Sequence, residues 1–545
     1  MSALSSTLHV SEVLPRLLRR LRPAPVSLPD SVARQIPRII DPVASLPPVR
    51  RLASTMMINY YAYATSLRPR ALTLERDYTT WATLTDRSFT GRHLPPADAR
   101  TMEALPPEPE VAALFRRERE VKSTDTSVWF MFFAQWFTDS FLRTSRTDYR
   151  QNTSTQEIDL CQIYGLGPEQ TLMLRSMDCG RLKSQLIDGE EFPVFLFQER
   201  APGGPLAFKP EFQGLYDERF VIDTILGGAP DDRKDSVFAV GLEHGNSTIG
   251  STILNTVFVR EHNRVAGLLL AEHADWDDDR LFETTRNVMI VLLLKLVVED
   301  YIRQIGPFDF PIETVPLIAD EERWNRPNWI AIEFNLLYRW HSLVPDAMGA
   351  GADALGPGDF LNNNPLVISQ GVDALVSRLS RERAGRIGLG NTPAFLVDRS
   401  DPDSPSLEER SVALMRKARL RSFNDYRASY GLPRMTGFAQ LTSDVALRER
   451  LESLYDHDID RLEWYVGIFA EDYPDYLMMG ELLTTMVAND AFTQALTNPL
   501  LSRNVFNEDT FSPAGMKVIS ETGSLEQIVV RNATSPGTVH ASFEC

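Results

Sequence analysis

Cysteine is scarce. Cys161, Cys179 and Cys545 are the only three in 545 residues, far apart and in no metal-ligand spacing, so neither a disulfide framework nor a zinc site organises the chain and a reducing compartment fits best. Long apolar runs are missing too. The longest, Val288 to Leu294, is interrupted by Lys295 and is too short to span a bilayer, and the first 25 residues hold no uninterrupted apolar stretch of the kind a secretory signal needs. Net basic charge is absent. A formal charge of −18 argues against general nucleic-acid binding, and neither an internal repeat nor a low-complexity tract is found.

What is present is an ordinary globular composition, 43% hydrophobic, enough for two to four average domains or one large helical body. The charge is unevenly spread. Residues 1–74 carry ten Arg and three Asp/Glu, a net +7 that leaves −25 for the remainder. Within that arm Val13, Leu14, Leu17, Leu18 and Leu21 fall on one helical face with Arg16, Arg19, Arg20 and Arg22 largely elsewhere, an amphipathic basic helix. Proline-punctuated segments and the Met- and Tyr-rich stretch LASTMMINYYAYATSLRP follow. They read as short helices with a common apolar side that docks on the body or lies in a membrane interface.

From Tyr78 onward the pattern is helical, with loops at Pro106–Pro109, Pro202–Pro205 and Gly349–Gly358. Helices are predicted over Ser127–Arg143, Thr252–Leu270, Asp279–Ile305, Trp329–Leu343, Leu407–Tyr430 and Asp458–Glu471. Residues Gly515–Glu544 have mixed strand and turn character and are expected to form a closing tail. The stretch Ala331–Asp346, AIEFNLLYRWHSLVPD, spaces Tyr338 and His341 three residues apart, which on a helix makes them neighbours. A metal or haem iron on His341 would then lie beside an oxidisable phenol. A core tyrosine next to a satisfied histidine is the plainer reading of the same segment.

That stretch resembles the haem-ligand helix of the cyclooxygenases (prostaglandin endoperoxide synthases), in the animal haem peroxidase and fatty-acid dioxygenase superfamily. Further matches follow in the same order: YTTWATLTDRSFTGRHLPP, FFAQWFTDSFLRT, VREHNRVAGLLLAEH, LYDHDIDRLEWYVG and GELLTTMVANDAFTQALTNP. The resemblance implies a mainly α fold. Residues 75–545 would form one large haem-peroxidase-like helical domain, and residues 1–74 an amphipathic arm of monotopic membrane-binding helices. The cysteine-rich module and secretory signal of animal members are missing, so an intracellular protein peripheral to a membrane is expected.

By the same resemblance His341 is the ligand of a haem b iron, Tyr338 the radical-forming tyrosine, and Tyr465 a second tyrosine tuning the histidine through a hydrogen bond. Gln135 keeps the family pattern on the other haem face, but Asp139 stands where a histidine is expected. A carboxylate there can move a proton between peroxide oxygens if its pKa suits. Arg92 matches the arginine that pairs a substrate carboxylate. Thr485 replaces that arginine's glutamate partner, so Arg92 should be freer to take an anion. Phe308 replaces a tyrosine at the same mouth. Ala491 occupies the position of the serine that aspirin acetylates, and Val487 and Gln494 add bulk where the family has glycine. A shorter, straighter or differently threaded acyl chain is therefore expected.

His262, His273 and His244, with Asn263 and Arg264, read as supports of the body. The leading expectation is a haem-dependent oxygenase that inserts O2 into a fatty acid or related lipid through a Tyr338 radical, as a homodimer if the resemblance holds. The alternatives are a peroxidase or hydroperoxide-converting enzyme using Asp139, and a haem- or lipid-binding protein that has lost catalysis.

Overall fold

Ser127 ends an antiparallel pairing and begins a deeply buried helix of the computed structural model, which describes residues 46–65, 73–201, 203–306, 311–349 and 351–545. The fold-bearing helices are, in order, α1 (Pro47–Ala62), α2 (Val128–Thr138), α3 (Ile249–Glu272), α4 (Asp278–Leu296), α5 (Ile332–Leu337), α6 (Leu407–Lys417), α7 (Phe423–Ser429), α8 (Trp464–Ala470), α9 (Glu481–Leu496), α10 (Glu508–Glu521) and α11 (Leu525–Arg531). Strand content is small, as the sequence suggests. β1 (Lys122–Ser127) pairs with β4 (Arg383–Gly385), and β2 (Ser184–Ile187) forms a hairpin with β3 (Glu190–Pro193). Its turn residues Asp188 and Gly189 both have positive φ, which suits the twist of a two-residue hairpin loop.

Helix α2 is apolar nearly all round, so it belongs inside the body rather than on it. Ser127 caps it by accepting from the Phe130 N–H at 3.2 Å, and every residue except Gln135 is buried. It crosses α3 at Gly250. A β-carbon there would lie 2.1 Å from the Phe132 ring, so only glycine lets the two helices approach. Helix α4, capped by Asp277, continues through a π turn at Val297–Tyr301 into Ile302–Ile305, and the turn sets Tyr301 against Phe130 at 5.0 Å between ring centres.

Four expectations need correction, the smallest being Asp458–Glu471, which holds a 3-10 turn at Ile459–Arg461 before α8 rather than one helix. The segment Trp329–Leu343 is not one helix: α5 ends at Leu337, Tyr338 is its C-cap at φ −86° and ψ 7°, and His341 opens a separate 3-10 turn. Tyr338 and His341 therefore do not share a helix face. Leu407–Tyr430 likewise divides into α6 and α7, with Arg419 at φ 53° between them. Nearly half of Gly515–Glu544 is helix rather than strand and turn. Helix α10 runs to Glu521 and α11 follows, started by a capping box between Ser524 and Gln527. The true tail is the stretch after Arg531, where the Ser127 N–H donates to the Phe543 carbonyl and Phe543 packs on Phe130, Phe133 and Tyr301.

The basic helix of residues 13–22 and Phe308 lie outside the described residues. Helix α1, from the Met- and Tyr-rich stretch, packs on α9, where Asn489 donates to the Tyr61 and Ala62 carbonyls. Its other side leaves Met56, Tyr60 and, just beyond the helix, Tyr63 exposed. Among the described residues no helix is long and apolar enough to cross a membrane. All three cysteines are free thiols.

Candidate functional site

The break after α5 sends Tyr338 and His341 to different partners. The His341 turn is pinned from below by Arg117, which donates to the Ser342 and Val344 carbonyls at 3.2 and 2.9 Å. Gly385 packs so closely on the Ser342 carbonyl that a β-carbon would lie 2.0 Å from it. Held this way, His341 Nδ1 lies 2.7 Å from Glu408 Oε1. The other Glu408 oxygen accepts from the Tyr465 hydroxyl at 3.0 Å, and Thr392 adds a longer 3.4 Å contact. Tyr465 is thus tied to His341 through a buried carboxylate rather than directly. Burial, then the neighbouring Glu408, pushes the Tyr465 phenol well up, so it stays a donor.

Glu408 was not among the sequence candidates. Its signal was the run Ser406-Leu407-Glu408-Glu409, in which Ser406 and Glu409 form the capping box of α6. The neighbouring carboxylate is then in the first turn, where the helix dipole favours an anion.

On the other side, Gln135 and Asp139 sit at the end of α2. The Gln135 side chain accepts from Thr248 Oγ1 at 3.4 Å, and the Asp139 N–H closes the helix on the Gln135 carbonyl at 3.0 Å. Burial pushes the Asp139 carboxyl up to about 7, opposed by Arg143 and reinforced by Glu243, with Arg339 opposing weakly. Arg339 acts on Tyr465 as well. One guanidinium thus influences both Asp139 and Tyr465.

These residues fit a haem. His341 Nε2 has no protein partner among the described residues, and a carboxylate holding Nδ1 is the arrangement that fixes the tautomer of a metal-bound imidazole. No cluster of three His, Cys, Asp or Glu side chains able to hold a bare ion occurs among the described residues, whereas a prosthetic group carrying its own nitrogens needs one histidine.

Tyr338 points elsewhere. Its ring packs on Phe334 and Trp340 at 4.9 and 4.8 Å, and burial pushes its phenol far above the usual tyrosine range. Its hydroxyl and that of Tyr301 lie close enough to shift each other's ionisation, yet neither reaches standard hydrogen-bond geometry to any described residue. Helix α9 lies alongside. Val487, Ala491 and Gln494, at positions that share one face, are all buried there, and Gln494 Oε1 has no hydrogen-bond partner among the described residues.

Arg92 is 2% exposed and already engaged. It donates to the carbonyls of Ala418, Thr73 and Arg76 and pairs with Asp77 at 3.3 Å. Thr485 spends its hydroxyl on the Glu481 carbonyl, one turn back. The missing glutamate therefore does not free Arg92, whose guanidinium keeps one N–H, at Nε, without a partner among the described residues. His262, between the Tyr164 hydroxyl and the Gly180 carbonyl at 2.8 and 2.9 Å, is lowered to about 4 by burial and supports the body.

The model of the animal haem peroxidase family matches residues 140–543, starting just after Asp139. Prostaglandin G/H synthase 1 of Rattus norvegicus is 32% identical over 477 residues, covering 85% of this chain and 74% of the relative. Prostaglandin G/H synthase 2 of Gallus gallus is 29% identical over 481 residues, with 85% and 74% covered. Among solved structures, a fatty acid alpha-dioxygenase of Arabidopsis thaliana superposes with a TM-score of 0.68 at 17% identity, covering 93% of this chain and 92% of that one. Peroxidase A of Dictyostelium discoideum gives 0.64 at 18% identity, covering 88% and 95%. At those identities the structures speak for the fold alone.

Proposed function

The chain belongs to the animal haem peroxidase family, and from that premise we propose that this oxidoreductase is a haem-dependent oxygenase inserting O2 into a fatty acid or related lipid through a radical on Tyr338. Haem, when bound, supplies the one-electron oxidising power that an unactivated C–H bond demands. His341 would hold it through Nε2, while Glu408, 2.7 Å from Nδ1, would keep the proton there and fix the ring. A neutral phenoxyl radical on Tyr338 would take a hydrogen atom from a C–H bond of the acyl chain. O2 adds to the carbon radical, and the resulting peroxyl takes the hydrogen atom back. RH and O2 become ROOH, and the Tyr338 radical is restored.

The observation that carries this reading is the Tyr338 hydroxyl, fully buried without a standard hydrogen bond and three residues from His341. Haem-loaded protein incubated with fatty acids under 18O2 should yield a labelled lipid, and Tyr338→Phe should abolish the label while the haem absorption stays. Equal labelling by the variant would remove the radical step. Val487, Ala491 and Gln494 would line the acyl chain, with Arg92 offering only Nε to a carboxylate.

A peroxidase or hydroperoxide-converting activity is the second reading, favoured by Asp139. A carboxyl near 7 holds or releases a proton with equal ease at neutral pH, as peroxide cleavage requires. Peripheral membrane contact is part of the proposal too. The exposed Met56, Tyr60 and Tyr63 beside α1, with Trp81 79% exposed nearby in sequence, support it, and flotation of the protein with anionic lipid vesicles tests it. A homodimer is proposed on the family resemblance alone.

A further inference from the structure

Five polar side chains meet beside Tyr338 in a region built mainly of apolar residues. His93 Nε2 lies 2.9 Å from Asp490 Oδ2, and the two side chains are 1% and 2% exposed. Glu333 Oε1 accepts from the His93 N–H at 2.9 Å and from the Tyr426 hydroxyl at 2.6 Å. Tyr430, four residues after Tyr426, stands edge-on to the His93 ring at 6.1 Å. Asp490 comes from the same part of α9 as Val487, Ala491 and Gln494, and its charge is felt by Tyr338 and Tyr430 alike. The cluster is thus contiguous with the acyl-chain site.

The cluster is not closed. Glu333 Oε2 and the Tyr430 hydroxyl are buried with no hydrogen-bond partner among the described residues, although Tyr430 lies within reach of the Glu333 charge. Leaving either group unpaired costs free energy of the size of a lost hydrogen bond, so the pair suits a partner, water or ligand, that can serve both. Its chemistry is constrained on both sides. In its carboxylate form Glu333 offers an acceptor at Oε2. Burial together with Asp490 and Glu333 keeps the Tyr430 phenol protonated, so it is available to donate. An ammonium offers no acceptor to Tyr430, a carboxylate is repelled by Glu333 and Asp490, and a methylene satisfies neither. A hydroxyl both donates and accepts.

We propose that Glu333 and Tyr430 form a subsite for a hydroxyl group carried on the acyl chain, so that the substrate class is a hydroxylated fatty acid held with its alcohol beside Tyr338. The hydroxyl donates to Glu333 Oε2 and accepts from Tyr430. It therefore sets which carbon is presented to the Tyr338 oxygen, a positional selection that a purely apolar channel would leave to chain length and bends. The inference rests on the acyl-chain reading of the preceding subsection and deepens it.

Binding under anaerobic conditions tests it without turnover. Haem-loaded full-length protein is titrated with octadecanoic acid and with a series of its monohydroxy positional isomers. At least one isomer should bind about tenfold more tightly than the parent acid, as two hydrogen bonds in a buried site imply. Tyr430→Phe and Glu333→Gln should each collapse that preference. Tyr430→Phe removes only an unpartnered hydroxyl, so its melting temperature should not fall, and a lost preference then cannot be charged to misfolding. Equal binding of parent and every isomer overturns the hydroxyl subsite, and so does a preference that survives both substitutions. Binding of no acid of either kind would instead overturn the acyl-chain reading on which the subsite depends.

Discussion

Two buried glutamates a short distance from the break after α5 are used in opposite ways. Glu408, behind His341, has both oxygens taken, one by the imidazole and Thr392 and the other by Tyr465. Glu333, near Tyr338, spends one oxygen on His93 and Tyr426 and leaves the other idle. A fully satisfied network is stiff and holds one geometry. A carboxylate with an idle oxygen is costly unless something arrives to pair with it. The first region is finished as folded and suits a permanently held group, whereas the second is completed by what it binds.

The contrast can be broken most directly at His341. His341→Ala should abolish the Soret band of haem-reconstituted protein, and a band of unchanged position and intensity would refute ligation there. Next in size is Asp139→Asn, which should slow peroxide turnover by about 10²–10⁴-fold if the carboxylate is the acid–base group. The wild-type rate should rise as pH passes upward through about 7, and a variant whose profile keeps that rise would clear Asp139 of the role. Glu408→Ala should weaken haem affinity by about 10–100-fold, whereas Glu333→Gln should leave it unaltered. Equal losses in a haem titration would erase the distinction between the two carboxylates.

The smallest effect is on stability. The folded Asp139 carboxyl titrates near 7, above the ordinary value of about 3.9, so the fold favours its protonated form. The wild type accordingly loses stability as pH rises from about 4 to about 7. The haem-free Asp139→Asn variant should match the wild type at pH 4 and melt about a few degrees higher at pH 8, by calorimetry.

Much of this was legible in the sequence because long periodic helices carry their own signal: α3 spans Ile249–Glu272 against an expectation of Thr252–Leu270. The break at Tyr338 was not, since no glycine or proline marks it. It is imposed from outside, by Arg117 and Gly385 gripping the Ser342 carbonyl. Helices α10 and α11 were obscured by the β-branched residues Val518, Ile519, Ile528, Val529 and Val530, whose strand preference the tertiary packing overrides. The capping boxes of α6 and α11 were readable. His93, Asp490 and Glu333 were not, because they come from distant parts of the chain and form a cluster only when folded.

The packing around Tyr301 bears on the order in which the protein is assembled. Its ring is held by Phe130 from α2, Trp340 from beyond α5 and Phe543 from the tail, segments separated by hundreds of residues. Contacts of such long sequence separation close late in folding. A chain still awaiting the Phe543 segment lacks one wall of the phenol pair formed by Tyr301 and Tyr338. The fold thereby delays the completion of the surroundings of Tyr338 until the rest of the protein has formed around it.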